Sequence, residues 1–270
     1  LPNPVLPDRG QQAFIPSTSP RYLPTMPDLA TRIAENVREV RGRIADAAQR
    51  SGRTASDITL VAVTKYVPVE TIRPLVEAGC HDLGESRPQQ LWDRAAALDD
   101  LPVRWHMIGH LQRNKVRRTL PLTALFHSVD SLRLLAALEE EAARLQEETK
   151  ASSTAHWPVP VLLEVNVSGE EAKHGFRPDG MEATVAELPK FRNIAVRGLM
   201  CMAGLEGNLD DARREFVMLR TLREELRHHC PTGVSLDELS MGMSGDFEVA
   251  IEEGATIVRV GSALFEGVAC

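Results

Sequence analysis

Short apolar runs separated by longer amphipathic segments make up most of this chain. The first segment carries apolar residues at spacings of three and four, the period of a helix with one buried face. These residues are Leu29, Ile33, Val37, Val40, Ile44 and Ala48. Asp28 precedes them as a helix N-cap, and Ser51-Gly52 follows as a stop signal. The pattern therefore predicts a helix from near Asp28 to Ser51.

After this helix the apolar runs have the length of β-strands. We predict strands at 58–64, 81–84, 104–108, 125–128, 159–167, 195–200, 238–241 and 256–260. Amphipathic segments predict helices between them, at 69–79, 88–98, 112–119, 131–149, 179–188, 208–229 and 245–253. Strands that alternate with helices form right-handed βαβ units and a parallel sheet.

The number of predicted strands decides the fold class. Eight strands match a closed barrel. The alternative is a doubly wound open sheet, but in this chain no glycine-rich dinucleotide turn follows the first strand. We therefore predict a single (β/α)8 TIM barrel with an extra N-terminal helix, over residues 28–270. Residues 1–27 hold seven prolines and no apolar periodicity, so we predict a disordered proline-rich arm there.

Composition and charge exclude several classes of protein. Hydrophobic residues make up 43% of the chain and charged residues 26%, as in ordinary globular proteins. The net charge of −7 argues against a general electrostatic grip on nucleic acid or on an anionic membrane. No apolar run is long enough to span a bilayer.

Cysteine and histidine positions give no sign of a metal site. The four cysteines have neither CxxC nor zinc-ligand spacing, and we interpret them as unpaired thiols in a reducing cytoplasm. His106 and His110 are four residues apart, but the pattern places them at a strand end, where that spacing does not gather ligands. We therefore predict no metal.

The last two predicted strands end in small residues that suit a phosphate group. The seventh runs into Ser240-Met241-Gly242-Met243-Ser244-Gly245, and the eighth into Gly261-Ser262. In (β/α)8 barrels the loops after these two strands commonly build a phosphate site. Small residues let backbone N–H groups approach phosphate oxygens, and serine hydroxyls add donors. Either loop alone could be a plain turn, but together they favour a phosphate ligand.

Lys65 ends the first predicted strand, directly after the apolar run 60–63. Lysine is seldom buried without a partner, so this side chain either extends to solvent or serves as a Schiff-base amine. A closed barrel puts strand one beside strand eight, which places Lys65 next to the phosphate loops. If the ligand contains a pyridine ring, Arg259 would donate to the ring nitrogen and keep it unprotonated. Alternatively, Arg259 forms a structural ion pair.

These residues resemble the pyridoxal phosphate homeostasis protein family, single-domain relatives of the alanine racemase N-terminal barrel. The resemblance covers residues 29–267 through ordered motifs at 60–65, 83–87, 105–115, 164–168, 197–200, 240–244 and 258–262. It implies a protein that binds, buffers and delivers pyridoxal 5′-phosphate (PLP), in vitamin B6 homeostasis, without dedicated catalytic turnover.

The resemblance also implies roles for single residues. Lys65 would be the cofactor lysine, the Ser240 and Gly261-Ser262 loops would hold the phosphate, and Arg259 would face the pyridine nitrogen. The candidate cofactor-binding residues are Lys65, Ser86, Asn166, Met200, Ser240, Met241, Arg259, Gly261 and Ser262.

Two positions depart from the family pattern. Ser86 stands where the family usually has asparagine after Gly-Glu, which removes or shortens that side-chain contact. Glu266 stands between Phe265 and Gly267, where the family usually has Phe-Gly, so the last turn beside the phosphate loop differs.

Other functions stay open at this stage. A PLP-dependent racemase or decarboxylase needs a second acid/base residue. The tyrosines of this chain are Tyr22, in the arm, and Tyr66, next to Lys65. The catalytic relatives carry their second acid/base residue on an added domain, for which we expect no room here. A cofactor-free aldolase would use Lys65 on a phosphorylated sugar. A protein-binding barrel would leave the strand-end residues without a role. We favour a PLP carrier, a cytoplasmic monomer that supplies PLP-dependent apoenzymes.

Overall fold

The computed structural model describes residues 28–148, 157–170, 174–204, 207–231 and 234–268. Eight parallel strands form a closed barrel in which each pairs with the next and the last pairs with the first. They are β1 Thr59–Val63, β2 Asp82–Glu85, β3 Arg104–Met107, β4 Leu125–Val129, β5 Val159–Glu164, β6 Ile194–Met200, β7 Glu238–Ser240 and β8 Ile257–Val260. The predicted (β/α)8 barrel is confirmed, and the arm predicted at 1–27 lies outside the described residues.

Helices connect the strands and surround the barrel. They are α1 Leu29–Arg50, α2 Val69–Glu77, α3 Pro88–Ala97, α4 Val116–Thr119, α5 Leu132–Glu148, α6 Met181–Glu187, α7 Leu209–Arg227 and α8 Phe247–Glu252. None of these helices has the length and apolar character needed to cross a membrane. Cys80, Cys201 and Cys230 form no disulfide bond with one another, and Cys270 lies outside the described residues.

The extra N-terminal helix, α1, is fixed at its start and along its buried face. The Asp28 side chain accepts a hydrogen bond from a backbone amide of the first turn, which confirms the predicted cap. The apolar stripe packs against α2, α8 and the 3₁₀-helix Ser262–Phe265 that follows β8. Asn36 Nδ2 donates to the carbonyls of Leu264 at 3.1 Å and Glu266 at 2.9 Å, so α1 is tied to the end of the barrel.

Two predicted elements differ most from the structure. The strand predicted at 159–167 ends at Glu164, and Val165 makes only an isolated bridge with Phe176. The backbone leaves the sheet there because the following loop turns back and takes over the hydrogen bonds of the strand end. The helix predicted at 112–119 begins as a 3₁₀ turn and is α-helical only in α4.

The apolar core has two layers. Inside the barrel, Val61, Leu162, Met200 and Ile257 pack together, and Leu125 lies against them. A larger cluster fills the space between the strands and the helices. Side chains alternate along a strand, so each strand supplies residues to both layers.

Candidate cofactor site

Lys65 lies at the carboxyl end of β1, in a loop that a buried arginine holds in place. Arg94 of α3 donates to the carbonyls of Thr64 at 2.8 Å and Val67 at 2.6 Å. The same guanidinium pairs with the buried carboxylate of Glu85, which also accepts from the Thr64 hydroxyl. The main chain on both sides of Lys65 is therefore anchored to β2 and α3, which limits where its amine can lie.

The residue after Lys65 has a strained backbone. Tyr66 has φ of +98°, a region that residues with a side chain rarely adopt. Its ring is 75% exposed, and its centroid lies 5.4 Å from Lys65 Nζ. Such strain persists only where the surroundings impose it, and it concentrates at functional sites.

Arg259 is buried on β8 at the inner face of the barrel. Its Nη1 donates to Ser240 Oγ at 2.6 Å and its Nη2 to the carbonyl of Cys201 at 2.9 Å. Burial lowers the pKa of the guanidinium, an effect that the nearby Cys201, Asp246 and Glu164 oppose. Arginine stays protonated in proteins, so Arg259 brings a fixed positive charge and N–H donors to this end of the barrel.

A chain of hydrogen bonds runs through the barrel from Arg259 to Asp82. The Ser240 hydroxyl lies 2.8 Å from His127 Nδ1. His127 Nε2 lies 2.9 Å from His106 Nδ1, and His106 Nε2 lies 3.0 Å from Asp82 Oδ1. We call these five residues the barrel chain.

The two ends of the barrel chain limit how the hydrogen bonds between them can be directed. Arg259 can only donate and an ionised Asp82 can only accept. One arrangement that satisfies both ends has the Ser240 hydroxyl donating to His127 Nδ1, His127 donating from Nε2 to His106, and His106 donating from Nε2 to Asp82. Each ring nitrogen then has a partner.

The pKa shifts of His127 and Asp82 agree with this arrangement. Burial, together with the neighbouring His106 and Arg259, holds the pKa of His127 well below its usual value. Burial of Asp82 favours its neutral form, but hydrogen bonds from His106 and Arg104 outweigh it and lower the pKa of Asp82 to about 2. The barrel chain therefore has a neutral His127 within it and a charge of opposite sign at each end.

The two loops that we predicted to hold phosphate lie beside the Lys65 loop. A Cβ on Gly261 would meet Val63 Cβ at 3.4 Å, so the end of β8 lies against the end of β1. The Gly261 amide donates to Ser244 Oγ at 3.0 Å, which ties the two loops together. Ser262 is exposed and begins the 3₁₀-helix.

Gly242 allows the first of these loops to turn. Its φ is +93°, and a Cβ there would lie 2.6 Å from Ala250 Cβ and 2.9 Å from Phe247 Cα. Only glycine fits a left-handed turn this close to a helix. Asp246 then accepts from the Met243 amide at 2.5 Å, which closes the loop at the start of α8.

Three other predicted site residues lie at or just after the ends of β2, β5 and β6. Ser86 is half-buried directly after β2, and its backbone lies so close to Gly109 that a Cβ there would collide with it. Asn166 is engaged by its own loop, since its Nδ2 donates to the Glu170 carbonyl and its Oδ1 accepts from the Gly169 amide. Met200 is fully buried in the inner layer at the end of β6.

Ser240 and Met241 are consecutive and face opposite ways. Ser240 Oγ lies inside the barrel, between His127 and Arg259. Met241 is fully buried in the outer layer between strands and helices. Sequence reasoning placed both at the end of the seventh strand and in the candidate cofactor site, and the alternation of side chains along the chain gives them separate environments.

Glu164, at the end of β5, is a buried carboxyl with a raised pKa. Burial is the main cause, and the negative charge of Asp130 adds to it, while Arg259 and His110 act in the opposite direction. Together they raise the pKa of Glu164 to about 7. Its protonation therefore changes near neutral pH, at the same end of the barrel as Lys65.

Sequence reasoning named Arg259 and Ser240 but missed the other three residues of the barrel chain, and it missed Arg94. His106 was noted only for its spacing from His110, and His127 and Asp82 were not considered. Each lies within a strand, so no local spacing connects it with Arg259. A buried histidine in an otherwise apolar strand such as β4 was the one available signal.

Comparison with known proteins agrees with this geometry. The family model "Alanine racemase, N-terminal domain" matches residues 31–268. A pyridoxal phosphate homeostasis protein of Aquifex aeolicus is 39% identical over 86% of this chain and 96% of its own length. A protein of the same name from Pseudomonas aeruginosa is 40% identical over 86% of this chain and 94% of its own.

A solved structure shows the same barrel. The structure of PipY from Synechococcus elongatus, with PLP bound, matches with a TM-score of 0.71 and 33% identity. The match covers 86% of this chain and 99% of that chain.

Proposed function

This chain belongs to the family of the pyridoxal phosphate homeostasis proteins, and from that membership we propose that it binds PLP as a Schiff base on Lys65. The observation that carries the proposal is the pairing of β1 with β8. This pairing brings the loop of Lys65 beside the small-residue loop of Gly261, above the buried Arg259.

The residues at this end of the barrel fit PLP. The cofactor has a phosphate, a pyridine nitrogen and an aldehyde, and the site offers a partner of suitable chemistry for each. Glycines allow the main chain to approach a phosphate, a buried guanidinium can donate to a ring nitrogen, and a lysine amine can condense with the aldehyde. When bound, PLP supplies a reversible carbonyl and an electron-withdrawing ring.

Arg259 supports a role in storing PLP more than a role in catalysis with it. A guanidinium donates a hydrogen bond and does not give up its proton, so it would leave the ring nitrogen unprotonated. An unprotonated ring is a weaker electron sink than one paired with a carboxylate. Ser240 and His127 would hold Arg259 in this position from inside the barrel.

The phosphate would lie between the loops after β7 and β8. Gly261 and Ser262 supply one side, and the turn at Gly242 with Ser244 supplies the other. Met200 would form part of the floor, with Met241 behind the loop that it begins. Ser86 and Asn166 would border the ring from the ends of β2 and β5.

We further propose that the protein carries PLP and has no reaction of its own. It would release the cofactor to PLP-dependent apoenzymes and work as a monomer in the cytoplasm. Among the described residues Tyr66 is the single tyrosine, and its 75% exposure leaves it in solvent, where it is poorly placed to move a proton to a buried substrate.

The first test is the visible absorption of the purified chain with added PLP, followed by borohydride reduction and peptide mass mapping. We expect a yellow band that borohydride bleaches, with the added mass on the peptide that contains Lys65. Lys65→Ala should lose the band and the adduct. The matched control is Lys190→Ala, because Lys190 is an exposed surface lysine paired with Glu187, and it should retain both.

Two outcomes would contradict the proposal. An adduct spread over surface lysines would mean that Lys65 is not the anchor and would favour the aldolase alternative. Steady turnover of a free amino acid by the yellow protein, lost in Lys65→Ala, would make it an enzyme.

A further inference from the structure

Three side chains that the proposed cofactor site does not use come together at the barrel rim. They are His110 after β3, Asp130 after β4 and His174 in the loop after β5. His110 Nδ1 lies 2.9 Å and His174 Nδ1 lies 3.8 Å from Asp130 Oδ2. One nitrogen or oxygen of each residue lies within 4.8 Å of the others. We call these three residues the rim triad.

The rim triad is held by its surroundings. Ser131 Oγ donates to Asp130 Oδ1 at 3.0 Å, which leaves Oδ2 turned toward the histidines. Ser128 Oγ donates to the Gly109 carbonyl at 2.5 Å, next to His110. Such contacts behind a ligand are what orient it in metal sites.

The third member is held by its backbone. Phe176, two residues after His174, exchanges two hydrogen bonds with the end of β5, from its amide to the Glu164 carbonyl at 2.7 Å and from the Asn166 amide to its own carbonyl at 2.9 Å. Gly175 makes this return possible, because its φ is +119° and a Cβ there would lie 2.8 Å from the Asn166 amide nitrogen.

The two histidine rings lie parallel beside the carboxylate. The imidazoles of His110 and His174 stack with centroids 4.3 Å apart and planes at 17°, and a neutral imidazole offers a nitrogen lone pair to a metal ion. Asp130 is 10% exposed at its side chain, whereas the histidines are exposed and reachable from solvent.

We propose that the rim triad binds a divalent transition-metal ion of the Zn²⁺ class. Two imidazole nitrogens and one carboxylate oxygen are the donor set of many zinc sites with three protein ligands. Ligand atoms about 2.0–2.2 Å from a tetrahedral ion lie roughly 3.4 Å from each other. The two separations from Asp130 Oδ2, 2.9 and 3.8 Å, lie on either side of that value.

The position of the site fixes what it can do. Its ligands follow β3, β4 and β5, on the opposite side of the barrel mouth from the loops after β7 and β8. An ion there would leave the proposed phosphate contacts intact. Three protein ligands leave such an ion an exchangeable position for water or for a small anionic or amine ligand.

The test is titration of the chelator-stripped full chain with Co²⁺, read by visible absorption, with and without bound PLP, and then competition by Zn²⁺. We expect one Co²⁺ per chain, displaced by Zn²⁺. His110→Ala, Asp130→Asn and His174→Ala should each weaken binding at least tenfold. The matched control His81→Ala removes an exposed histidine outside the rim triad and should bind as the wild type does.

The inference fails if the wild type binds no Co²⁺ in defined stoichiometry, which would mean that the histidines only donate hydrogen bonds to Asp130. It also fails if the three variants bind as the wild type does, or if His81→Ala loses binding equally. Unchanged circular dichroism and an unchanged PLP band in His174→Ala would separate loss of the metal from unfolding and from failure of the proposed cofactor site.

Discussion

Buried polar residues inside the barrel set the orientation of Arg259 in the candidate site. Ser240 accepts from Arg259 and faces His127, so the orientation of the arginine depends on a residue of β4, far away in sequence. Through the barrel chain, the positions of His127 and His106 therefore influence the position of the charged Arg259.

The hydrogen bonds of the barrel chain predict a specific effect for His127→Phe. A ring of similar size keeps the packing but removes both hydrogen bonds. The hydrogen of the Ser240 hydroxyl and His106 Nδ1 are then buried without a partner, while Ser240 Oγ still accepts from Arg259. Each such group costs about 1–3 kcal/mol, so we expect the free energy of unfolding to fall by roughly 2–5 kcal/mol and PLP affinity to fall by about tenfold. Urea unfolding and titration of the PLP absorption band measure the two effects.

An exposed histidine supplies the comparison. His228→Phe changes a residue on the surface at the end of α7 and should alter neither quantity by more than about 0.5 kcal/mol. If His127→Phe has the same free energy of unfolding and the same PLP affinity as His228→Phe, the barrel chain has no role in holding Arg259.

For single residues, the sequence pointed to positions at or near strand ends and missed the side chains that hold them. Lys65, Gly261 and Ser262 could be proposed because a strand end followed by a lysine or by small residues is unusual in itself. His127 and Arg94 could not, because their partners come from other strands and helices. The rim triad was missed for the same reason, since its members lie on three separate loops.

The elements of the barrel are recognisable from periodicity, but their closest contacts are not. All eight predicted strands are present, with ends displaced by up to three residues. Gly198 shows what periodicity leaves out. It lies within β6, where a Cβ would be 1.9 Å from the Glu238 carbonyl oxygen of β7, so the two backbones meet at a distance that only glycine permits.

Two glycines of different elements should therefore respond oppositely to alanine. Gly198→Ala forces β6 away from β7, and we expect a loss of about 3 kcal/mol in the free energy of unfolding, near the upper end for overpacking. Gly42→Ala lies in the exposed middle of α1 with nothing within 4 Å of the new Cβ, and should gain about 0.5–1 kcal/mol through helix propensity. Chemical unfolding of both variants tests the pair, and a stabilised Gly198→Ala would contradict the strand spacing.

For the whole molecule, buried ionisable groups connect stability with pH. The folded chain holds a proton on Glu164 up to about pH 7, whereas the unfolded chain releases it near its ordinary pKa of 4.5. The folded state therefore binds more protons between these values, and this contribution to stability is lost as pH rises from about 4.5 to 7.

Glu164→Gln removes this titration. The free energy of unfolding of the variant minus that of the wild type should grow by roughly 2–3 kcal/mol from pH 4.5 to 8, at 1.36 kcal/mol for each unit of pKa shift. Urea unfolding of both chains without added PLP, at matched ionic strength, measures the difference. Parallel pH curves would mean that Glu164 ionises freely in the folded state.

The closing pair of strands has a consequence for how the protein is made. Lys65 leaves the ribosome well before Arg259, Gly261 and Ser262 are synthesised, and β1 can pair with β8 only when both exist. A nascent chain that lacks β8 therefore has the lysine without its arginine and the phosphate loop of Gly261. Cofactor loading would have to follow the synthesis of β8, so the amount of PLP held in the cell would track chains that contain both strands and not earlier stages of translation.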